Sequence, residues 1–195
     1  MRALAVFCGS RPGGRAEYAD AAASLGRAMA ARGVALVYGG ARVGLMGTVA
    51  DAVLAAGGQA IGVIPAFMQA RELAHEGLTE LHVTRTMHER KALMAERADG
   101  FVALPGGIGT LEELFEAWTW GQIGVHTKPC ALLDVAGFYS GLAGWLNHAH
   151  AEGFMRAAPH EELVVEASPE RLLDRLQRLP PRPSSAPARA TTAEF

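Results

Sequence analysis

Short apolar runs alternate with longer amphipathic stretches along most of this sequence, and that alternation restricts the fold more than any other feature. The apolar runs fall at 3–8, 35–38, 59–64, 81–84, 100–104, 130–133 and 163–166. Several are apolar on both alternating faces, as strands are when both sides of a sheet are covered. Helix candidates lie between them, at 17–32, 45–56, 87–98, 111–123, 139–152 and 169–179. The pattern predicts an α/β fold: a Rossmann-like, doubly wound, mostly parallel sheet with helices on both faces. Ligands of such sheets bind beyond the carboxyl ends of the strands, where loops lead into helices.

Local signals support these boundaries. Gly33 and Gly57 stand where helices end. Thr86 with Glu89, and Thr110 with Glu113, fit the capping-box spacing. Ser168-Pro169 reads as an N-cap followed by a first-turn proline. Residues 72–78 interrupt the alternation and read as a loop. Residues 1–179 are expected to form one nucleotide-binding domain. The segment 180–195, PPRPSSAPARATTAEF, is rich in Pro, Ala and Ser and is expected to be disordered.

Composition narrows the partners. The chain has 195 residues, half of them hydrophobic, so a sizeable core is possible. A net charge of −2 argues against a general nucleic-acid binder, which needs a basic excess. No run is long enough to span a bilayer, and the short apolar run after Arg2 lacks the length of a signal-peptide core. Neither nucleic acid nor membrane is an expected partner. Cys8 and Cys130 stand in the apolar runs LAVFC and PCALL, as buried thiols in a reducing compartment do. A cytoplasmic location is the expectation.

Three glycine-rich loops follow predicted strands. They begin at Cys8-Gly9-Ser10, at Tyr38-Gly39-Gly40-Ala41, and at Pro105-Gly106-Gly107-Ile108-Gly109-Thr110. Such loops let backbone N–H groups approach an anion, and a helix starting behind them adds free donors and a positive dipole end. One loop alone means little, because tight strand-to-helix turns use glycine anyway. Three in one sheet point to a shared phosphate site. None is a Walker loop or a dinucleotide fingerprint with its acidic partner. On spacing alone, Thr110 and Glu113 read as a capping box before they read as a site. Met87 and Lys91 share a helix face with Arg90 adjacent, and this cation pair suits either a solvated face or a substrate oxyanion. Lys91 and Lys128 are the chain's two lysines. His148 and His150 do not share a helix face, and neither HExxH nor a paired-cysteine motif occurs, so no metal site is expected. Trp118 and Trp120 read as core or dimer packing residues, with base stacking as the alternative.

With these residues in view, the sequence resembles the Lonely Guy (LOG) family of nucleotide N-glycosidases. The run MHERKALM and the block LPGGIGTLEELFEAWTWGQIGVHTKP are similar to the family's two signature segments, and PGGxGTxxE is met at Pro105, Gly106, Gly107, Gly109, Thr110 and Glu113. Flanking segments VFCGS, YGG, VGLMG, GVIP and LTELHV follow in the family's order, so the likeness covers residues 3–166. The resemblance implies a phosphoribohydrolase that splits cytokinin riboside 5′-monophosphates, and AMP, into free base and ribose 5-phosphate. It implies a homodimer that needs no cofactor. It places Arg90 and Glu113 at the catalytic positions. Ser10, Met87, Lys91, Gly106, Gly107, Gly109 and Thr110 become the expected substrate-binding residues. The sequence departs from the family at Ala41, where a third glycine is usual, and at Arg11, where a second serine is frequent. Three rival readings remain: a nucleotide or molybdenum-cofactor carrier of the same fold, a pyridoxal-phosphate-dependent lysine decarboxylase, and a structural dimer with degenerate loops, against which the intact motif blocks weigh. The second needs a lysine for its Schiff base.

Overall fold

The computed structural model describes residues 1–72 and 74–179. Seven parallel strands form one sheet in the order β4-β3-β2-β1-β5-β6-β7. They are β1 Ala3–Phe7, β2 Ala35–Tyr38, β3 Ala60–Pro65, β4 Glu80–Thr84, β5 Phe101–Ala103, β6 Cys130–Leu133 and β7 Leu163–Glu166. The helices are α1 Ala16–Ala31, α2 Gly44–Ala55, α3 Ala66–Glu72, α4 Met87–Arg97, α5 Ile108–Gln122, α6 Ser140–Ala151, α7 Pro159–Glu162 and α8 Pro169–Arg178. Among the described residues no helix is long and apolar enough to cross a membrane. The predicted tail at 180–195 lies outside the described residues.

Strand periodicity divides the core. Leu4 and Val6 of β1 turn to one face, where Leu25 and Met29 of α1, Val49 and Val53 of α2, and Leu172 and Leu176 of α8 cover them. Ala5 and Phe7 turn to the other, against Met94 of α4, Leu114 and Trp118 of α5, and Leu146 of α6. This is the period-2 alternation of a strand feeding two cores. Helices change face between the β1 and β5 halves, so these neighbouring strands flank the topological switch point where ligands of such sheets bind.

The expected caps hold at two places and fail at one. Thr86 accepts the Glu89 N–H at 3.1 Å, and Ser168 accepts that of Arg171 at 3.4 Å. The capping box at Thr110 is a misreading. Helix α5 starts earlier, with Gly107 as its N-cap and no side-chain cap, so Thr110 and Glu113 both lie inside the helix. Helices α3 and α7 and a single 3-10 turn at Val135–Gly137 have no counterpart in the sequence reading.

Candidate active site

Strands β1, β2 and β5 end beside one another, so their glycine loops meet. Gly9 ties them together: its N–H donates to the Pro105 carbonyl at 3.1 Å, and its own carbonyl accepts the Leu45 N–H at 3.0 Å. The three loops therefore form one continuous backbone surface. Side chains are excluded at its seams. A Cβ on Gly44, whose φ is 57°, would collide with the Ser10 and Arg11 backbone. A Cβ on Gly106 would fall on the Thr110 side chain and lie 2.9 Å from the Gly9 nitrogen. Ala41, the departure from the family pattern, is fully buried and is not among the described residues with positive φ, so it costs no backbone strain.

Over this surface lies a cavity of about 350 Å³, lined by Cys8, Ser10, Met46, Met68, Met87, Arg90, Glu112 and Glu113 and by the start of α5 from Gly107 to Thr110. Arg90 from α4 and Glu113 from α5 meet inside it, Nη2 to Oε1 at 3.1 Å, with side chains only 7% and 12% exposed. The rest of the guanidinium is poorly served. Its Nη1 faces the thioether sulfurs of Met68 and Met87 at 3.9 Å, and its Nε has no hydrogen-bond partner among the described residues. Buried guanidinium donors are normally satisfied, so one left among soft apolar side chains is poised for a polar ligand. The Cys8 thiol is pushed far up by burial and then by the negative charge of Glu113, so it stays protonated and inert.

The first turn of α5 offers backbone donors suited to an anion. Its first internal hydrogen bond runs from the Leu111 N–H to the Gly107 carbonyl at 3.3 Å, so the amides of Ile108, Gly109 and Thr110 precede it. Such amides have no partner within a helix and sit at its positive end. A second cavity of about 410 Å³ adjoins across Gly9, Ser10 and Gly107, lined also by Arg11, Tyr18, Leu45, Gly106 and Phe138.

Most expected site residues therefore converge: Ser10, Met87, Arg90, Gly107, Gly109, Thr110 and Glu113 line the first cavity, and Gly106 the second. Lys91 does not join them. Its ammonium is held between Glu112 at 2.5 Å and Glu116 at 2.9 Å. Burial alone would lower its pKa, but these two hydrogen bonds outweigh that and hold it above its usual value. The sequence reading missed Gly39, whose missing Cβ leaves room for the Arg90 Nη2, and the wall residues Met46 and Met68. Gly39 stood in a quoted glycine loop, but nothing local tied it to Arg90.

Comparison with known proteins follows the same lines. A family model described as a possible lysine decarboxylase matches residues 46–176. A cytokinin riboside 5′-monophosphate phosphoribohydrolase of Rhodococcoides fascians is 52% identical over 165 residues, covering 84% of this chain and 83% of that protein. An Arabidopsis thaliana protein of the same name is 44% identical, covering 93% of this chain and 84% of its own length. Among solved structures, the molybdenum cofactor carrier protein of Chlamydomonas reinhardtii superposes with a TM-score of 0.66 at 21% identity, covering 90% of this chain and 95% of that one. The molybdenum cofactor binding protein of Rippkaea orientalis gives the same TM-score and identity over 90% and 94%. At that identity the likeness concerns the fold alone.

Proposed function

This chain belongs to the LOG family, whose named members are cytokinin riboside 5′-monophosphate phosphoribohydrolases, and from that premise we propose that it hydrolyses the N-glycosidic bond of cytokinin riboside 5′-monophosphates, and of AMP, to free base and ribose 5-phosphate. The observation that carries this reading is the buried Arg90–Glu113 pair beside the glycine-loop surface. The carbon–nitrogen bond breaks with its electron pair leaving on the base, and positive charge develops on the ribose. The Glu113 carboxylate stabilises that charge and takes a proton from the attacking water, whose oxygen bonds to the anomeric carbon; the departing base anion takes up a proton from solvent, and Glu113 returns its own to solvent. Arg90 holds Glu113 in place. The amides of Gly106, Gly107 and Gly109, with Thr110 and Ser10, bind the 5′-phosphate, and Met87 lines the wall beside the arginine.

The test is release of free base from isopentenyladenosine 5′-monophosphate and from AMP, followed by chromatography. Wild type is expected to release base from both, and Arg90→Ala to lose about 10²-fold in kcat/KM, the scale of a misplaced reacting group. Nucleotide binding without release of base would return the carrier reading. Gly39→Ala offers a subtler check: a methyl there displaces the Arg90 guanidinium. It is expected to lower kcat/KM by about tenfold or more with little change in melting temperature, through the same loss of alignment.

A lysine decarboxylase needs a lysine facing a cofactor pocket, and neither lysine fits. Lys91 is clasped by two carboxylates. Lys128 donates to the Ala95 carbonyl at 2.5 Å and lines a cleft where the strands begin, with no glycine-rich loop beside it. In this reading the protein works in the cytoplasm, in keeping with its two buried cysteines. It works as a homodimer, with exposed Ile123, Val125, Trp145 and Phe154 as apolar surface for a second copy. Light scattering is expected to give twice the chain mass, and Phe154→Arg to shift it toward the monomer.

A further inference from the structure

We propose that Lys91 is a positioning residue for the catalytic pair: it neutralises Glu112 and Glu116, so that Arg90 serves Glu113 and the cavity mouth accepts an anion. The proposal rests on the hydrolase reading and deepens it.

Two adjacent residues of α4 meet three carboxylates of α5. Arg90 takes Glu113, while Lys91 takes Glu112 and Glu116. The three glutamates crowd the second and third turns of one helix, and Glu112 and Glu116 are four apart, a like-charge pair that repels when nothing lies between them. The Lys91 side chain is 9% exposed, whereas lysines usually stand in solvent. Glu112 also lines the catalytic cavity, while its side chain remains half exposed. Without Lys91, the charge of Glu112 at the cavity wall, and of Glu116 one turn behind it, is left unbalanced beside a cavity that has to receive a phosphate ester. Arg90 is the neighbouring cation on α4, and its Nε lacks a partner among the described residues. Glu113, already paired with Arg90, would have to share that cation.

The geometry separates this role from two simpler ones. A lysine that touches the substrate phosphate must reach the cavity, and Lys91 points into the carboxylate clasp instead. A merely structural ion pair would affect stability and leave catalysis alone. Charge balance distinguishes all three.

The experiment compares wild type with Lys91→Met, with Lys91→Arg, and with Lys91→Met carrying Glu112→Gln and Glu116→Gln. Measured are KM and kcat with isopentenyladenosine 5′-monophosphate, ribose 5-phosphate affinity by calorimetry, and melting temperature. Lys91→Met is expected to raise KM and weaken ribose 5-phosphate about tenfold, the scale of unscreened charges near a partly buried anion site, with a smaller fall in kcat. Lys91→Arg, which keeps the charge, is expected to lose less. The triple variant is expected to recover affinity to within a few-fold of wild type. A folded Lys91→Met with wild-type KM and ribose 5-phosphate affinity overturns the proposal, whatever its melting temperature. So does a triple variant as weak as Lys91→Met, because a lysine that binds substrate directly cannot be replaced by removing carboxylates. A wild type that binds ribose 5-phosphate but releases no base overturns the hydrolase reading, while the affinities still judge Lys91. A wild type that does neither overturns both.

Discussion

Glu113→Gln is expected to lower kcat for base release by about three orders of magnitude, while the variant still folds and still binds ribose 5-phosphate. The substitution keeps the size and one hydrogen-bonding oxygen of the side chain, so the contact with Arg90 at 3.1 Å has an acceptor left. What it removes is the charge. A carboxylate in a cavity that excludes water stabilises a developing cation far more than a neutral amide does, and loss of one such preorganised group costs about 10²–10³ in kcat. The amide also cannot take the proton of the attacking water, which adds about 10²-fold or more where that role is used. Stability is expected to fall as well, because a buried guanidinium loses its counter-charge. Single-turnover release of base measures the step directly. A Glu113→Gln variant within tenfold of wild type would show that the carboxylate is not at the reacting carbon.

The sheet was largely readable from the sequence because its signals are local. Strands β2, β6 and β7 occupy the residues that periodicity assigns to them, since each is a short apolar run between clear breaks. Helices α3 and α7 span 7 and 4 residues, too short for a helical period to show. The start of α5 was misplaced for another reason. Its cap is a glycine with no side-chain hydrogen bond, so the nearest threonine took its place in the reading. The site divides in the same way. Arg90 and Glu113 lie on different helices, and the family motifs, not local spacing, singled them out. Met46, Met68 and Gly39 belong to the cavity because α2, α3 and the end of β2 converge there, which no single stretch of sequence encodes. Lys91 was read as a ligand for the substrate because its charge is visible in the sequence and its two partners, 21 and 25 residues away, are not.

Removing the 5′-phosphate from the substrate is expected to lower kcat/KM by about 10³, from hydrogen bonds to a charged group worth about 1.5–3 kcal/mol each. Two or more such bonds are available where the first turn of α5 begins, and the dipole of that 15-residue helix points its positive end at the same place. The phosphate does not react. In the proposed reading its binding orients the ribose against Glu113, so part of the loss is expected in kcat as well as in KM. Gly106→Ala tests the surface itself. The added Cβ would lie 2.7 Å from the Thr110 Cβ and 2.9 Å from the Gly9 nitrogen, so the loop has to move away from both. The Gly9–Pro105 hydrogen bond that joins two of the three loops would open with it. Turnover of the monophosphate is then expected to fall by about 10², on the scale of one or two lost charge-assisted hydrogen bonds. The slow turnover of the nucleoside, which does not use that surface, is expected to change little, so the two substrates converge. Steady-state kinetics with isopentenyladenosine and its 5′-monophosphate, on wild type and Gly106→Ala, measures both ratios. Equal kcat/KM for the two substrates in the wild type would remove the phosphate from the glycine loops and require another anchor for the nucleotide.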